Sequence, residues 1–252
     1  MKIQYASDLH LEFPENNAFL GRTPLKVKGD VLLLAGDIVP LSQIDSHNGF
    51  FNFLSDNFNV TYWVPGNHEY YHSDIVNKGG YLNEKIRENI FLVNNTMISV
   101  GETAFVFSTL WTKIGQDNQM EIELRFSDFH VIRHAGRLLS IKDYNSLHEQ
   151  SLLFLKEQLP KVSERTTIVV THHVPTFMNY PEIFPGDTLN EAFAVELGGL
   201  IKETKPDYWI FGHSHANRGD FLIGNTGMLT NTLGYVMYNE HELFDRGRVI
   251  EV

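Results

Sequence analysis

The sequence predicts a layered α/β protein, and three observations carry that prediction. Short apolar runs recur along the chain, and several are continuous instead of alternating, as strands buried on both faces read. Helix-patterned stretches separate some of the runs, the clearest being Ser146 to Leu159, which Pro160 stops. Five of the runs end in a residue able to bind a metal ion, at the edge where α/β sheets place their sites.

Ile3 to Ala6 is the first strand-like run. It stops at Asp8-Leu9-His10, whose two donors at strand spacing would face one ion from the same side. From Glu12 to Lys28 the chain is rich in Pro, Asn and Gly and reads as loop. Val31 to Ala35 is a buried strand ending in Gly36-Asp37. Phe50 to Phe58 reads as a short helix with its rings in the core, and Val60 to Val64 as the strand that leads into Pro65-Gly66-Asn67-His68-Glu69. That stretch sets an amide oxygen, an imidazole and a carboxylate in consecutive positions after a glycine that permits a sharp turn. Alone it is equally an Asn cap on a helix starting near Glu69, with a surface His.

Tyr81 to Asn89 is expected to be helical and Ile90 to Val93 to be a strand. Ile98 to Val100 and Thr103 to Trp111 read as two strands about Gly101-Glu102, starting a second sheet. Residues 112–145 lose the strand period and are expected to form a cap or insertion over one side of a site. Asp128, His130, Arg133, His134 and Arg137 fall there, and its histidines read as ordinary polar residues because none ends a strand. Thr166 to Thr171 is a β-branched strand that delivers His172-His173. A Pro-rich loop, Val174 to Asp187, leads to a helix around Glu191 to Lys202. Asp207 to Phe211 is a strand ending at Gly212-His213-Ser214-His215, and Phe221 to Ile223 and Gly234 to Tyr238 read as closing strands. Without a repeat or linker, residues 1–252 are expected to form a single domain.

Composition narrows the function. Apolar residues make up 42% of 252, ordinary for a globular protein. A formal net charge of -11 without a Lys/Arg cluster argues against long nucleic acid as a partner. Cys is absent, so any metal is held by oxygen and nitrogen, and a reducing, cytoplasmic setting is expected. No run approaches a membrane span, and the N-terminus lacks the apolar core of a signal peptide.

The candidate donors are Asp8, His10, Asp37, Asn67, His68, His172, His173, His213 and His215. Parallel strands present their C-terminal ends at one edge, which would gather these groups into one cleft. Asp and His with one Asn suit manganese, iron or zinc better than calcium, and their number suits two adjacent ions sharing a carboxylate. Two divalent ions keep surplus positive charge over two Asp groups, which favours phosphate ester hydrolysis over peptide cleavage.

The ordered blocks Asp8-x-His10, Gly36-Asp37, Gly66-Asn67-His68-Glu69, Thr171-His172 and Gly212-His213-x-His215 resemble those of the calcineurin-like metallophosphoesterases. The resemblance implies a four-layered α/β/β/α sandwich with two mixed β-sheets. It implies that Asp8, His10 and His215 hold one ion, that Asp37 bridges, and that Asn67, His172 and His213 hold the second. A bridging hydroxide would attack phosphorus in line, with His68 contacting the phosphate or protonating the leaving oxygen. Asn231-Thr232-Leu233-Gly234-Tyr235 resembles a near-terminal element of the family, with Thr232 where Pro is usual.

Leaving-group readers are sought in Tyr70, Tyr71 and Trp111, and in Arg133 or Arg218, each of which could equally be packing or surface charge. The expected substrate is a small phosphomonoester or phosphodiester. A metal-dependent nuclease would need a basic groove around the cleft. A non-catalytic protein-binding scaffold on the same fold would show an eroded ligand set or lack His68.

Overall fold

The computed structural model describes residues 1–162, 166–181 and 186–252, so residues 182–185 of the Pro-rich loop lie outside the described residues. In chain order the first elements are β1 (Lys2–Ala6), α1 (Pro14–Arg22), β2 (Val31–Ala35), α2 (Asn48–Asn57) and β3 (Val60–Val64). Then come β4 (Leu82–Arg87), β5 (Ile90–Asn94), β6 (Thr96–Val100) and β7 (Thr103–Ser108). Residues 112–145 carry α3 (Gln119–Arg125), α4 (Asp128–Val131) and the small hairpin β8 (Arg133–His134) with β9 (Arg137–Leu138). The chain continues through α5 (Ile141–Gln158), β10 (Thr166–Thr171), α6 (Asn190–Phe193), α7 (Gly198–Thr204) and β11 (Tyr208–Phe211). It closes with β12 (Phe221–Ile223), β13 (Thr226–Thr230) and β14 (Val249–Glu251).

Two six-stranded mixed sheets face each other. One runs β14-β1-β2-β3-β5-β4, and the other β12-β13-β11-β10-β7-β6. In each the four central strands are parallel and the two edges antiparallel. Alternation along each strand explains the layering. Tyr5, Leu33, Ala35 and Val64 meet Phe105, Phe107, Ile168 and Ile210 between the sheets. Leu32, Leu34 and Trp63 turn outward to Phe51 and Leu54 of α2, while Val169 and Trp209 pack outward on Leu155 of α5 and Ile201 of α7. Each of the larger aliphatic and phenylalanine side chains among these contributes about 1.5–3 kcal/mol by leaving water. The result is the sandwich expected, with helices on both outer faces.

Several local expectations give way to tertiary context. Tyr81 to Asn89 is not a helix: Leu82–Arg87 pairs antiparallel with β5, and its charged residues suit an edge strand. Glu12 to Lys28 is not all loop. Pro14 opens α1 at its first turn, and Asn16 is buried, donating to the carbonyls of Leu9 and Gly234 at 2.9 and 2.8 Å. The helix around Glu191 to Lys202 is two short helices, α6 and α7. Gly234 to Tyr238 is a turn with a positive φ at Gly234 and a 3₁₀ turn over Val236–Tyr238; the closing strands are β13 and β14. The strand expected to reach Trp111 stops at Ser108, before Leu110 adopts a φ of 51°.

Candidate metal centre

The five strand ends come from both sheets: β1, β2 and β3 of the first, β10 and β11 of the second. Asp8 and His10 lie beyond β1, and they converge by left-handed backbone (φ 55° and 48°), not by strand alternation. Asp37, His213 and His215 share that conformation at 56°, 69° and 51°. Left-handed backbone is costly for non-glycine residues, and its concentration here marks a site held together by other forces. Glycine is required at three neighbouring positions, including Gly212, where a Cβ would lie 2.5 Å from Asp8 Oδ2. A Cβ on Gly36 would lie 2.2 Å from His172 Nδ1, and one on Gly66 2.2 Å from Asp37 Oδ1.

The donors form two groups joined by Asp37. Asp8, His10, Asp37 and His215 are one, and Asp37, His172 and His213 the other, with ligand atoms within 4.8 Å of one another in each. Asp37 Oδ2 is 3.8 Å from His10 Nε2, while Oδ1 is 3.4 Å from His172 Nε2. His10 and His215 approach to 3.0 Å through their Nε2 atoms, and His172 Nε2 approaches His213 Nδ1 to 3.0 Å. Asn67 Oδ1 joins the second group, 3.1 Å from His172 Nε2.

For three of the four rings a hydrogen bond on the far side fixes which atom faces inward. His172 Nδ1 donates to the Ala35 carbonyl at 2.9 Å, His10 Nδ1 to Glu12 Oε1 at 3.1 Å, and His215 Nδ1 to Glu240 Oε2 at 2.7 Å. Lone pairs of nitrogen, amide oxygen and carboxylate therefore point at one another, an arrangement that a cation relieves. The same field draws positive charge. Burial pushes the His172 and His215 imidazoles down, but Asp37 lifts the first to about 9, and Asp8 with Glu240 lifts the second to about 10. Burial would raise Asp37, yet His172 and His68 hold it well below the usual carboxylate range. This nitrogen and oxygen donor set fits two divalent metal ions, one in each group.

His68 stands beside Asp37 and joins neither group. Its Nε2 is 4.0 Å from Asp37 Oδ2, its Nδ1 donates to Glu12 Oε1 at 2.9 Å, and its ring stacks on Tyr71 at 4.0 Å. Glu12 thus holds both His10 and His68. With those rings it forms a third acidic cluster, but it meets each ring on the Nδ1 side, away from the other donors. The capping alternative for Asn67 does not hold: the turn His68–Tyr70 has no side-chain cap, and Asn67 Nδ2 instead donates to Asp128 Oδ1 at 2.8 Å. Asp128, fully buried in α4, also accepts from Tyr71 Oη at 3.0 Å.

Glu69 points away from the donors and ties two strand-end loops together. Its carboxylate accepts from the backbone N–H groups of Asp37 (2.9 Å), Ile38 (2.7 Å) and Gly66 (2.6 Å) and from Trp63 Nε1 (3.0 Å). His173 is buried and hydrogen-bonded to the Thr109 carbonyl at 3.1 Å; burial and the neighbouring His172 lower its pKa to about 3, so it is neutral. Tyr70 and Trp111 are packed in the core, 1% and 0% exposed, and are not available to a leaving group. Arg133 lies in the β8–β9 hairpin and bonds to the Gly136 carbonyl at 3.1 Å. Glu12, Asp128 and Glu240 were not among the sequence candidates. Only Glu12 left a trace, as the third member of the alternation Asp8, His10, Glu12.

A two-sheet sandwich carrying paired His/Asp clusters at one edge defines a metal-dependent phosphoesterase. The chain belongs to the calcineurin-like phosphoesterase family, which it matches over residues 1–217. It is 30% identical to an uncharacterized protein of Acanthamoeba polyphaga mimivirus, over 92% of this chain and 91% of that protein. Among solved structures it is similar to a phosphopantetheinyl hydrolase from Mycobacterium tuberculosis, with a TM-score of 0.71, 13% identity, and 99% and 95% of the two chains covered. A dimetal phosphatase from Danio rerio aligns with a TM-score of 0.47 at 11% identity, over 91% and 86% of the two chains. At 13% identity the likeness to the phosphopantetheinyl hydrolase speaks to the fold alone. No helix among the described residues is long and apolar enough to cross a membrane.

Proposed function

We propose that this chain hydrolyses small phosphate esters, monoesters or diesters, with Asp8, His10, Asp37 and His215 holding one ion and Asp37, Asn67, His172 and His213 the other. The observation that carries the reading is Asp37, whose two oxygens face different donor groups, with His68 beside it. When bound, the ions lower the pKa of a water and neutralise phosphoryl charge. His68 does the remaining proton work: Glu12 holds its Nδ1, so Nε2 faces the cleft and can bond a phosphoryl oxygen or give a proton to the leaving oxygen. The Asp128 carboxylate keeps the Asn67 oxygen turned toward His172. Residues 1–252 act as one unit, with the 112–145 segment walling the cleft. A reducing, cytoplasmic setting accords with the absence of Cys.

The cleft surface favours small substrates over nucleic acid. Arg125 is the single Lys or Arg among its described lining residues, and it is engaged by Glu121 at 2.5 Å. A protein-binding scaffold would not need the complete donor set. The test is manganese-dependent hydrolysis of p-nitrophenyl phosphate beside bis(p-nitrophenyl) phosphate, repeated with His68→Ala. We expect turnover of at least one ester, a fall in kcat of about 10²–10⁴-fold in the variant, and unchanged metal content. No turnover of either ester by protein carrying both ions would overturn the reading.

A further inference from the structure

The cleft over the donor groups is a cavity of about 390 Å³, lined at its floor by Asp37, Asn67, His213 and His215 themselves. At about 30 Å³ per water that is room for roughly a dozen waters, well beyond what a phosphoryl group fills. The remainder belongs to the leaving group, and its chemistry can be read from the walls. One wall is aromatic from the metal centre outward. The Phe193 ring lies 4.6 Å from His213, Phe126 packs edge-on against Phe193 at 5.4 Å, and Tyr180 lines the same cavity. Facing them, Tyr71 lies over His68, and the Tyr235 ring sits 4.7 Å from His10.

Charge is distributed the other way. Arg125 Nη1 is 2.5 Å from Glu121 and 3.7 Å from Asp187, so its charge is already answered by two carboxylates. The remaining acidic lining residue, Glu240, bonds His215 Nδ1 and the backbone N–H of Tyr235 at 2.7 and 2.6 Å. The surplus of two divalent ions over Asp8 and Asp37 matches one phosphoryl group and leaves nothing for a second anion.

Resting on the phosphate-ester reading above, we propose that this pocket takes substrates with a single phosphoryl group and an uncharged leaving group that carries a flat ring. The ring stacks on the Phe193–Phe126–Tyr180 wall, and a further phosphate or carboxylate on the leaving group is rejected because the one Lys or Arg among the described lining residues, Arg125, is already answered by two carboxylates.

Binding of non-hydrolysable phosphonates to the metal-loaded protein, measured by calorimetry, tests this without turnover. Phenylphosphonate is expected to bind at least about 10-fold tighter than methylphosphonate, and 4-carboxyphenylphosphonate several-fold weaker than phenylphosphonate. In Tyr180→Ala the preference for phenyl over methyl should shrink, with metal content unchanged. Equal affinity for the phenyl and methyl compounds, an undiminished preference in Tyr180→Ala, or tighter binding of the carboxylated ring would overturn the proposal. Failure of all three phosphonates to bind protein that carries both ions would instead overturn the phosphate-ester reading on which it rests.

Discussion

At the floor of the cleft, Asp8, His10, Asp37, Asn67, His172 and His213 are all nearly inaccessible, and Asp8, His10, Asp37, His213 and His215 sit in left-handed backbone. At the outer wall, Arg125 and Ser127 are exposed and Tyr180, Asp187 and Phe193 half-buried, carried by short helices and loops. The floor concentrates repulsion: facing lone pairs, buried carboxylates and strained φ angles costing roughly 1–3 kcal/mol each. The wall carries little of that load and packs as an ordinary small core, with Trp111, Ile122, Phe129 and Tyr144 at its centre. The difference predicts that the floor depends on what binds it, whereas the wall holds without it.

Removing metal is the strongest way to break that comparison. With free ions at about 1,000 times Kd, each bound ion stabilises the fold by about 4 kcal/mol. A chelator should therefore abolish turnover and lower Tm by many degrees. Hydrogen exchange should accelerate at the amides of Asp37, Gly66 and His213 far more than in α3 and α5. Uniform acceleration across both regions would show that the floor is not the separately held part.

Asp37→Ala follows in size. It removes the one carboxylate common to both donor groups, and kcat/KM should fall well beyond the 10–100-fold usual for loss of a group that only orients a ligand. Metal analysis should find fewer than two ions per chain. Retention of both would mean that Asp37 does not join them.

The two regions also differed in how far the sequence disclosed them. The floor was legible because strands end in glycine and then a donor: Gly36-Asp37, Gly66-Asn67 and Gly212-His213 each require a close approach that leaves a mark in one dimension. The sandwich was legible for a similar reason, since strands buried on both faces read as continuous apolar runs. The wall left no such mark. Phe126 and Phe193 follow or end short helices with no periodicity of their own, and nothing local distinguishes Asp128 from any acidic residue at a helix start. The misread stretches share that cause. The charged residues of β4 are placed by pairing with the next strand, β5, and Asn16 of α1 by the Gly234 carbonyl far along the chain; neither leaves a helical or strand period of its own.

Asp128, carried by the wall, and Glu12, beside the floor, sharpen the comparison. Each fixes a floor side chain from outside: Asp128 the Asn67 amide, Glu12 the rings of His10 and His68. Asp128→Asn and Glu12→Gln should each lower kcat/KM by roughly 10–100-fold. They should differ in metal content, Asp128→Asn weakening the ion of the donor group that Asn67 joins and Glu12→Gln the ion of the group that contains His10. Equal weakening of both ions in either variant would mean the floor responds as a single unit.

Asp143→Asn gives the smallest effect, and it probes the wall alone. Asp143 closes the capping box of α5, accepting from the Ser140 backbone N–H at 3.0 Å while the Ser140 hydroxyl accepts from its own N–H at 3.3 Å. Arg137 adds a two-pronged contact at 2.6 and 2.9 Å, which, with Ser140, holds the Asp143 carboxyl below the usual range. Asn keeps an oxygen that can accept from Ser140, so the change removes the charge facing Arg137, which costs roughly 0.2–1 kcal/mol, or at most about 2–4 °C in Tm for a chain of this size. A carboxyl depressed in the folded state stabilises fully above its unfolded pKa of about 3.9 and loses that contribution as pH falls toward the folded value. The gap between wild type and variant should therefore be open above about pH 5 and close below about pH 4. Because the wall does not lean on the ions, the gap should also be the same in chelator as in manganese. A gap that changes when the metal is removed would show that the cap and the floor are coupled after all.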